Sequence, residues 1–213
     1  MASVEVMTVC ENVCRDFGWV GPVASVLGDL GTFVIGISVI AAFRQLSLWR
    51  TEARELRRST VAEELVALAH NADDALRDIR NPMDSIPKDK IGDRIYPYQR
   101  RYERIAKYNE LFKDLRNAQI RVRAVIGNEN VDQAVEELFK VRNRVAISIE
   151  LLADYARSEN SERSQEDRNH KMKLKRDLYG SLSKEDELGQ KISSSVKTIE
   201  EQLNPISRLE ANK

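Results

Sequence analysis

His70 stands within one helical turn of Asp73 and Asp74, residue types from which a helical protein can build a metal site. Bundle metal sites draw inward carboxylates together with a Glu-x-x-His pair on each of two helices. This chain has two histidines, His70 and His170, and no Glu-x-x-His. A metal centre is therefore not expected, and His70 reads as a residue on the rim of an apolar stripe. Cys10 and Cys14 make a C-x3-C pair, which is neither zinc-knuckle nor thioredoxin-like spacing, and no His or Cys partner lies near. They are expected to pack as small hydrophobes on an amphipathic turn, with acylation beside a membrane as the lesser alternative. The chain shows no Gly-rich phosphate loop, no Ser or Cys nucleophile with a nearby base, and no Walker or Rossmann signature. No catalytic residue, cofactor or metal is assigned, and the chain is not expected to be an enzyme.

Arg163 and His170 are separated by six residues. An Arg-x(4–6)-His pair resembles the motif of HEPN-type ribonucleases, small helical domains in which the pair sits at a helix start and works at a dimer interface. The resemblance implies an alternative reading as a HEPN-like ribonuclease using Arg163 and His170. Against it, the surrounding ARSENSERSQEDRNHKMKLKR, residues 156–176, is polar and low in apolar content, which predicts a loose connection. The basic run Arg168, Lys171, Lys173, Lys175 and Arg176 in the same stretch reads as a solvated charge run, or as a contact for an acidic partner.

The elements that position these residues are helices. Charged residues are 32% of the chain and balanced, 34 basic against 34 acidic, which removes the global electrostatic case for nucleic acid. Glycine and proline are sparse, no alternating strand pattern occurs, and the Ala/Glu/Lys/Leu/Arg-rich stretches predict an all-α fold.

Residues 30–43, LGTFVIGISVIAAF, carry no charge. Alone they are shorter than the ~20 residues that cross a hydrocarbon core, but the helix can begin at Val20 if it takes in Asp29. Ten strongly apolar residues between Ala24 and Phe43 favour insertion by roughly 3–6 kcal/mol, against about 3 for a central Asp. Arg44, Arg50, Arg54, Arg57 and Arg58 follow the run, whereas Glu5, Glu11 and Asp16 precede it. The positive-inside rule then places the C-terminal part in the cytoplasm, and Trp19 and Trp49 fall where interfacial aromatics belong. The expected organisation is a short external segment 1–19, a transmembrane helix 20–43 and a cytoplasmic helical bundle 44–213. Gly28, Thr32 and Gly36 share one face at four-residue spacing, which favours self-association in the bilayer. If the oligomer enclosed Asp29, a pore-forming effector would be a further alternative.

Beyond the run, Val61, Leu65, Leu68, Ala72, Leu76 and Ile79 make a core-facing stripe that stops at Asn81-Pro82. Residues 82–97 read as the longest connection. A second helix is expected from Tyr98 to Ile126, ending at Gly127-Asn128. A third is expected after a cap at Asn130, with Val131, Val135, Leu138, Val145, Ile149, Leu152 and Tyr155 on its apolar side. A last helix starts near Ser183 with Leu188, Ile192, Val196, Ile199 and Leu203, and is closed by Pro205. Four amphipathic helices of this kind predict an antiparallel four-helix bundle that holds together without a cofactor.

The stretch WRTEARELRRSTVAEELVALAHNADDALRDIRNPM, the late Leu178-Tyr179-Gly180 and the following KEDELGQKI resemble a group of small bacterial single-pass membrane proteins with a cytoplasmic helical domain. The resemblance implies a bacterial inner-membrane address and carries no catalytic residue over. The expected role is a membrane-tethered interaction or effector module. Its partners would be the lipid bilayer, further copies of itself and a cytoplasmic protein, rather than nucleic acid.

Overall fold

The computed structural model describes residues 20–83, 85–158, 164–180 and 186–209, with side chains from Ala41 onward. Among the described residues there are six α-helices and no strand: α1 (Val20–Ile79), α2 (Tyr96–Lys107), α3 (Asn109–Val125), α4 (Glu129–Arg157), α5 (Gln165–Leu178) and α6 (Glu187–Ser207), with one 3-10 turn at Lys88–Lys90. The fold is all-α, as its composition predicts. The chain divides into two units, Met1–Arg54 and Glu55–Lys213.

In the first unit the backbone is helical from Val20. Phe43, Leu46, Leu48 and Trp49 are exposed apolar side chains. Among the described residues, no helix is long and apolar enough to cross a membrane. The expected span 20–43 falls almost wholly on residues whose side chains lie outside the described ones, as do Gly28, Asp29, Thr32 and Gly36; segment 1–19, with Cys10, Cys14 and Trp19, lies outside them altogether.

In the second unit, hydrogen bonds and ion pairs set the helix register. Helix α6 runs antiparallel to α1, because Arg80, just past α1, meets Asp186, His70 meets Glu200, and the Ser59 hydroxyl donates to the Ser207 carbonyl. Helix α3 is antiparallel to α1 through Tyr108–Asp78 and Arg121–Glu64. Helix α4 is antiparallel to α3 through Arg142–Asn109 and Arg116–Glu136, and α5 returns along α4 through Tyr155–His170 and Arg144–Asp177. Helix α4 is central, packing on α2, α3, α5 and α6.

Of the expected α1 stripe, Val61, Leu65, Ala72, Leu76 and Ile79 are buried in one cluster with Leu115, Leu138, Val145, Ile192, Ile199 and Leu203, whereas Leu68 is half-buried and its neighbour Ala69 takes the core position. At the α3–α4 seam, Phe112 and Phe139 meet edge to face at 5.8 Å, with Arg142 over the first ring and Arg116 over the second. Gln119 is buried there without cost: its amide donates to Asp132 and Glu136 and its oxygen accepts from Arg116.

Several sequence expectations are corrected. The expected helix 98–126 is two helices parted at Tyr108, whose φ of −95° and ψ of 8° leave the helical region. Its hydroxyl is held by Asp78 at 2.9 Å, so a tertiary bond fixes a break that no Gly or Pro announces. Gly127 does end α3, with φ +72°. The cap of α4 is Asn128 rather than Asn130: its side-chain oxygen accepts from the Val131 amide at 3.2 Å. The expected loose segment 156–176 is largely helix α5, capped by Ser164, whose hydroxyl accepts from the Asp167 amide, and seated by Leu174 and Leu178. Helix α6 begins after Asp186, and Ser183 lies outside the described residues. Pro205 sits inside the last turn of α6 rather than closing it; so near the end, it forfeits a single backbone bond whose acceptor, Glu201, is exposed.

Candidate functional site

Among the described residues, the buried charged side chains Arg80, Arg101 and Asp177 gather about the end of α1. A helix leaves its last carbonyls without internal partners, and here arginines and a glycine supply them. Arg104 donates to the Asp78 carbonyl at 3.1 Å, Arg101 to the Asn81 carbonyl at 3.2 Å, and the Gly180 amide to the Arg80 carbonyl at 2.9 Å. Positive groups at a helix C-terminus also complement its dipole. A β-carbon on Gly180 would stand 3.4 Å from Arg80 Cβ and 3.5 Å from its carbonyl oxygen, so the two segments are in ordinary van der Waals contact here.

Arg80 is the centre of this junction. Its Nε donates to the Asp177 carbonyl at 3.2 Å and its Nη2 to Asp186 Oδ1 at 2.6 Å. Asp186 in turn precedes the first turn of α6, where a carboxylate is favoured by the helix dipole. The Asp177 carboxylate accepts two bonds from Arg144, both 2.8 Å. That fork raises the Arg144 pKa, chiefly through the hydrogen bond to Asp177. Arg101 is fully buried, with its guanidinium 4.7 Å from the Tyr179 ring centroid. Burial raises the Tyr98 phenol nearby. Thus Asp78–Asn81 and Leu178–Gly180, two motifs nearly a hundred residues apart in the chain, meet around one set of buried arginines. Their spacing carries no sign of this; only tertiary contact joins them.

Beside the junction lies an open cleft of about 760 Å³, walled by Arg144, Met172, Lys173, Arg176, Asp186 and Glu187. Its charges are of both signs. Lys173 and Arg176 have no ion-pair partner among the described residues, whereas Glu187 is held by Lys191 at 3.0 Å, which lowers its pKa. The arrangement suits a polar contact surface. Among the described residues it offers no nucleophile and base in mutual reach.

The residues singled out by type fall elsewhere. His70 bonds Glu200 at 2.8 Å, and Asp73 takes a two-pronged bond from Arg77, so each is engaged on the surface. Among the described residues no group of His, Cys, Asp and Glu could hold a metal ion. Arg163 lies outside the described residues; His170 is on α5, its Nδ1 2.9 Å from the Tyr155 hydroxyl. The basic run 168–176 lies on α5, mostly exposed.

These features define a helical-bundle protein with a buried arginine–carboxylate junction. Comparison with protein-family models, with curated proteins and with solved structures finds no match.

Proposed function

We propose that the chain is a membrane-tethered helical interaction module of bacteria, anchored by residues 20–43 with its bundle on the cytoplasmic, arginine-rich side. In this reading Gly28, Thr32 and Gly36 bring copies together in the bilayer, and the bundle holds a protein partner. One observation carries it. The backbone is helical from Val20 to Ile79, across the uncharged run and into the arginine cluster. Residues 20–43 as a helix rise about 36 Å at 1.5 Å per residue, enough for a hydrocarbon core of ~30 Å. Exposed Phe43, Leu46, Leu48 and Trp49 follow directly, with Arg50, Arg54, Arg57 and Arg58 beyond them, the order expected of a membrane interface on its positive side.

Carbonate extraction of membranes from cells making the full chain tests the anchor: the protein stays in the pellet, and its release intact into the supernatant refutes the proposal. Gly28→Leu with Gly36→Leu then abolishes cross-linking between membrane helices; undiminished cross-linking refutes that part.

A further inference from the structure

Two exposed surfaces of the second unit carry opposite charge around apolar centres, and lie where one copy cannot join them. The first is a groove of about 720 Å³ between α2 and α4. Tyr98, Tyr102, Ile149 and Ala153 line it, and Tyr102 is 52% exposed. Glu103 and Glu150 stand on its rim, exposed and without a cationic partner among the described residues, whereas Asp154 there is already paired with Arg157 at 2.8 Å. The groove is therefore aromatic, partly apolar and net negative.

The second surface is the outer face of α5. Leu174, Asp177 and Leu178 are buried. At about 100° per residue, the opposite side carries Arg168, Met172 and Arg176 in line, at four-residue steps. Met172 is 55% exposed, and both arginines are exposed with no side-chain partner among the described residues. This is an apolar knob between two cations, the complement of an aromatic floor between two carboxylates.

Position excludes an intramolecular fit. On α4, Arg144 and Tyr155 face α5, bonding Asp177 and His170. Glu150, Ala153 and Arg157 line the groove, and at about 100° per residue they point roughly half a turn away from Arg144 and Tyr155. The two surfaces thus lie on opposite sides of α4 and at the same height along it, since Met172 falls between the His170 and Asp177 bonds. Only another molecule can bring them together. Such a contact is heterologous, with each copy offering its helix to one neighbour and its groove to the other.

We propose that α5 of one copy docks in the α2–α4 groove of a second copy of this chain. Met172 enters beside Tyr98 and Tyr102, and Arg168 and Arg176 meet Glu103 and Glu150. A thioether on an aromatic edge and a guanidinium over a tyrosine face are both favourable contacts. Repetition yields a ring or an open row of copies. The contact is independent of the membrane helix and, being ionic at its rim, weakens with salt.

Sedimentation velocity of the full chain in detergent, at graded protein and salt concentrations, tests the docking. The native chain shows self-association that salt reverses. E103R/E150R and R168E/R176E, with native helicity by circular dichroism, each weaken it on the order of tenfold or more, since each sets like charges face to face. An equimolar mixture of the two variants associates again, because each then offers the other an opposite charge at both contacts. Simple damage to either surface would not give that rescue. A native chain without salt-reversible association, association unchanged by both reversals, or a mixture that stays apart each overturns the proposal. Association that persists through both reversals but is lost with Gly28→Leu and Gly36→Leu assigns self-association to the membrane helix alone.

Discussion

Arg80→Ala is the perturbation that most directly probes the junction at the end of α1. The Arg80 side chain is 4% exposed and its partner Asp186 12%, with 2.6 Å between Nη2 and Oδ1. Removing the cation leaves the Asp186 carboxylate poorly solvated and the Asp177 carbonyl without its Arg80 donor. Breaking a buried pair from one side costs about 3–5 kcal/mol. For a domain of this size each kcal/mol moves the Tm by about 2–4 °C, so a fall of roughly 6–20 °C is expected. Thermal unfolding followed by far-ultraviolet circular dichroism measures it. The double variant Arg80→Met with Asp186→Leu separates ionic from packing effects, because exchanging both partners of a buried pair for apolar groups is often close to neutral. The double variant should therefore be more stable than Arg80→Ala and show strong coupling in a double-mutant cycle. A Tm fall under about 2 °C for Arg80→Ala, or a double variant no better than the sum of its singles, would refute the assignment of Arg80 as the keystone of this junction.

Other outcomes follow from single contacts. Gly189→Ala in α6 should fail to give the ~1 kcal/mol that Ala ordinarily gains over Gly in a helix; its Cβ would come within 2.6 Å of Asp186 Oδ2, a carboxylate pinned by Arg80, and chemical denaturation will show no gain or a loss. Asn128→Ala removes the α4 cap and should cost about 1 kcal/mol by the same measurement. Leu138→Ala, fully buried on the central helix, should cost about 2–5 kcal/mol. Glu136 is held below the usual carboxylate range, chiefly by its hydrogen bond from Arg116 and further by Gln119, against the opposing effect of burial. A carboxylate with a lowered folded pKa stabilises the protein above its unfolded pKa of about 4.3, and that contribution is lost as pH falls below it toward the folded value. The stability difference between native protein and Glu136→Gln should accordingly shrink on acidification through that window; a difference constant with pH would contradict the bond.

What the sequence alone determined is the helical class, most of the core and several stops. Stripes at three- and four-residue steps mark the buried faces of α1, α4 and α6, because burial of one face imposes that period. Asn81-Pro82 and Gly127 end helices through local backbone chemistry, which neighbours in space do not alter. The places where tertiary structure decided are those whose energy comes from contacts distant in sequence. Tyr108 breaks a continuous stripe because Asp78 holds its hydroxyl. Helix α5 carries too few apolar residues to announce itself, yet Leu174, Leu178 and the Arg144–Asp177 pair seat it on α4. Most of all, the arginines around Asp78–Asn81 and Leu178–Gly180 form one junction only after α6 turns back along α1. Periodicity records what a segment does to its own faces; ion pairs between segments leave no period, and so nothing in the chain's order foretold them.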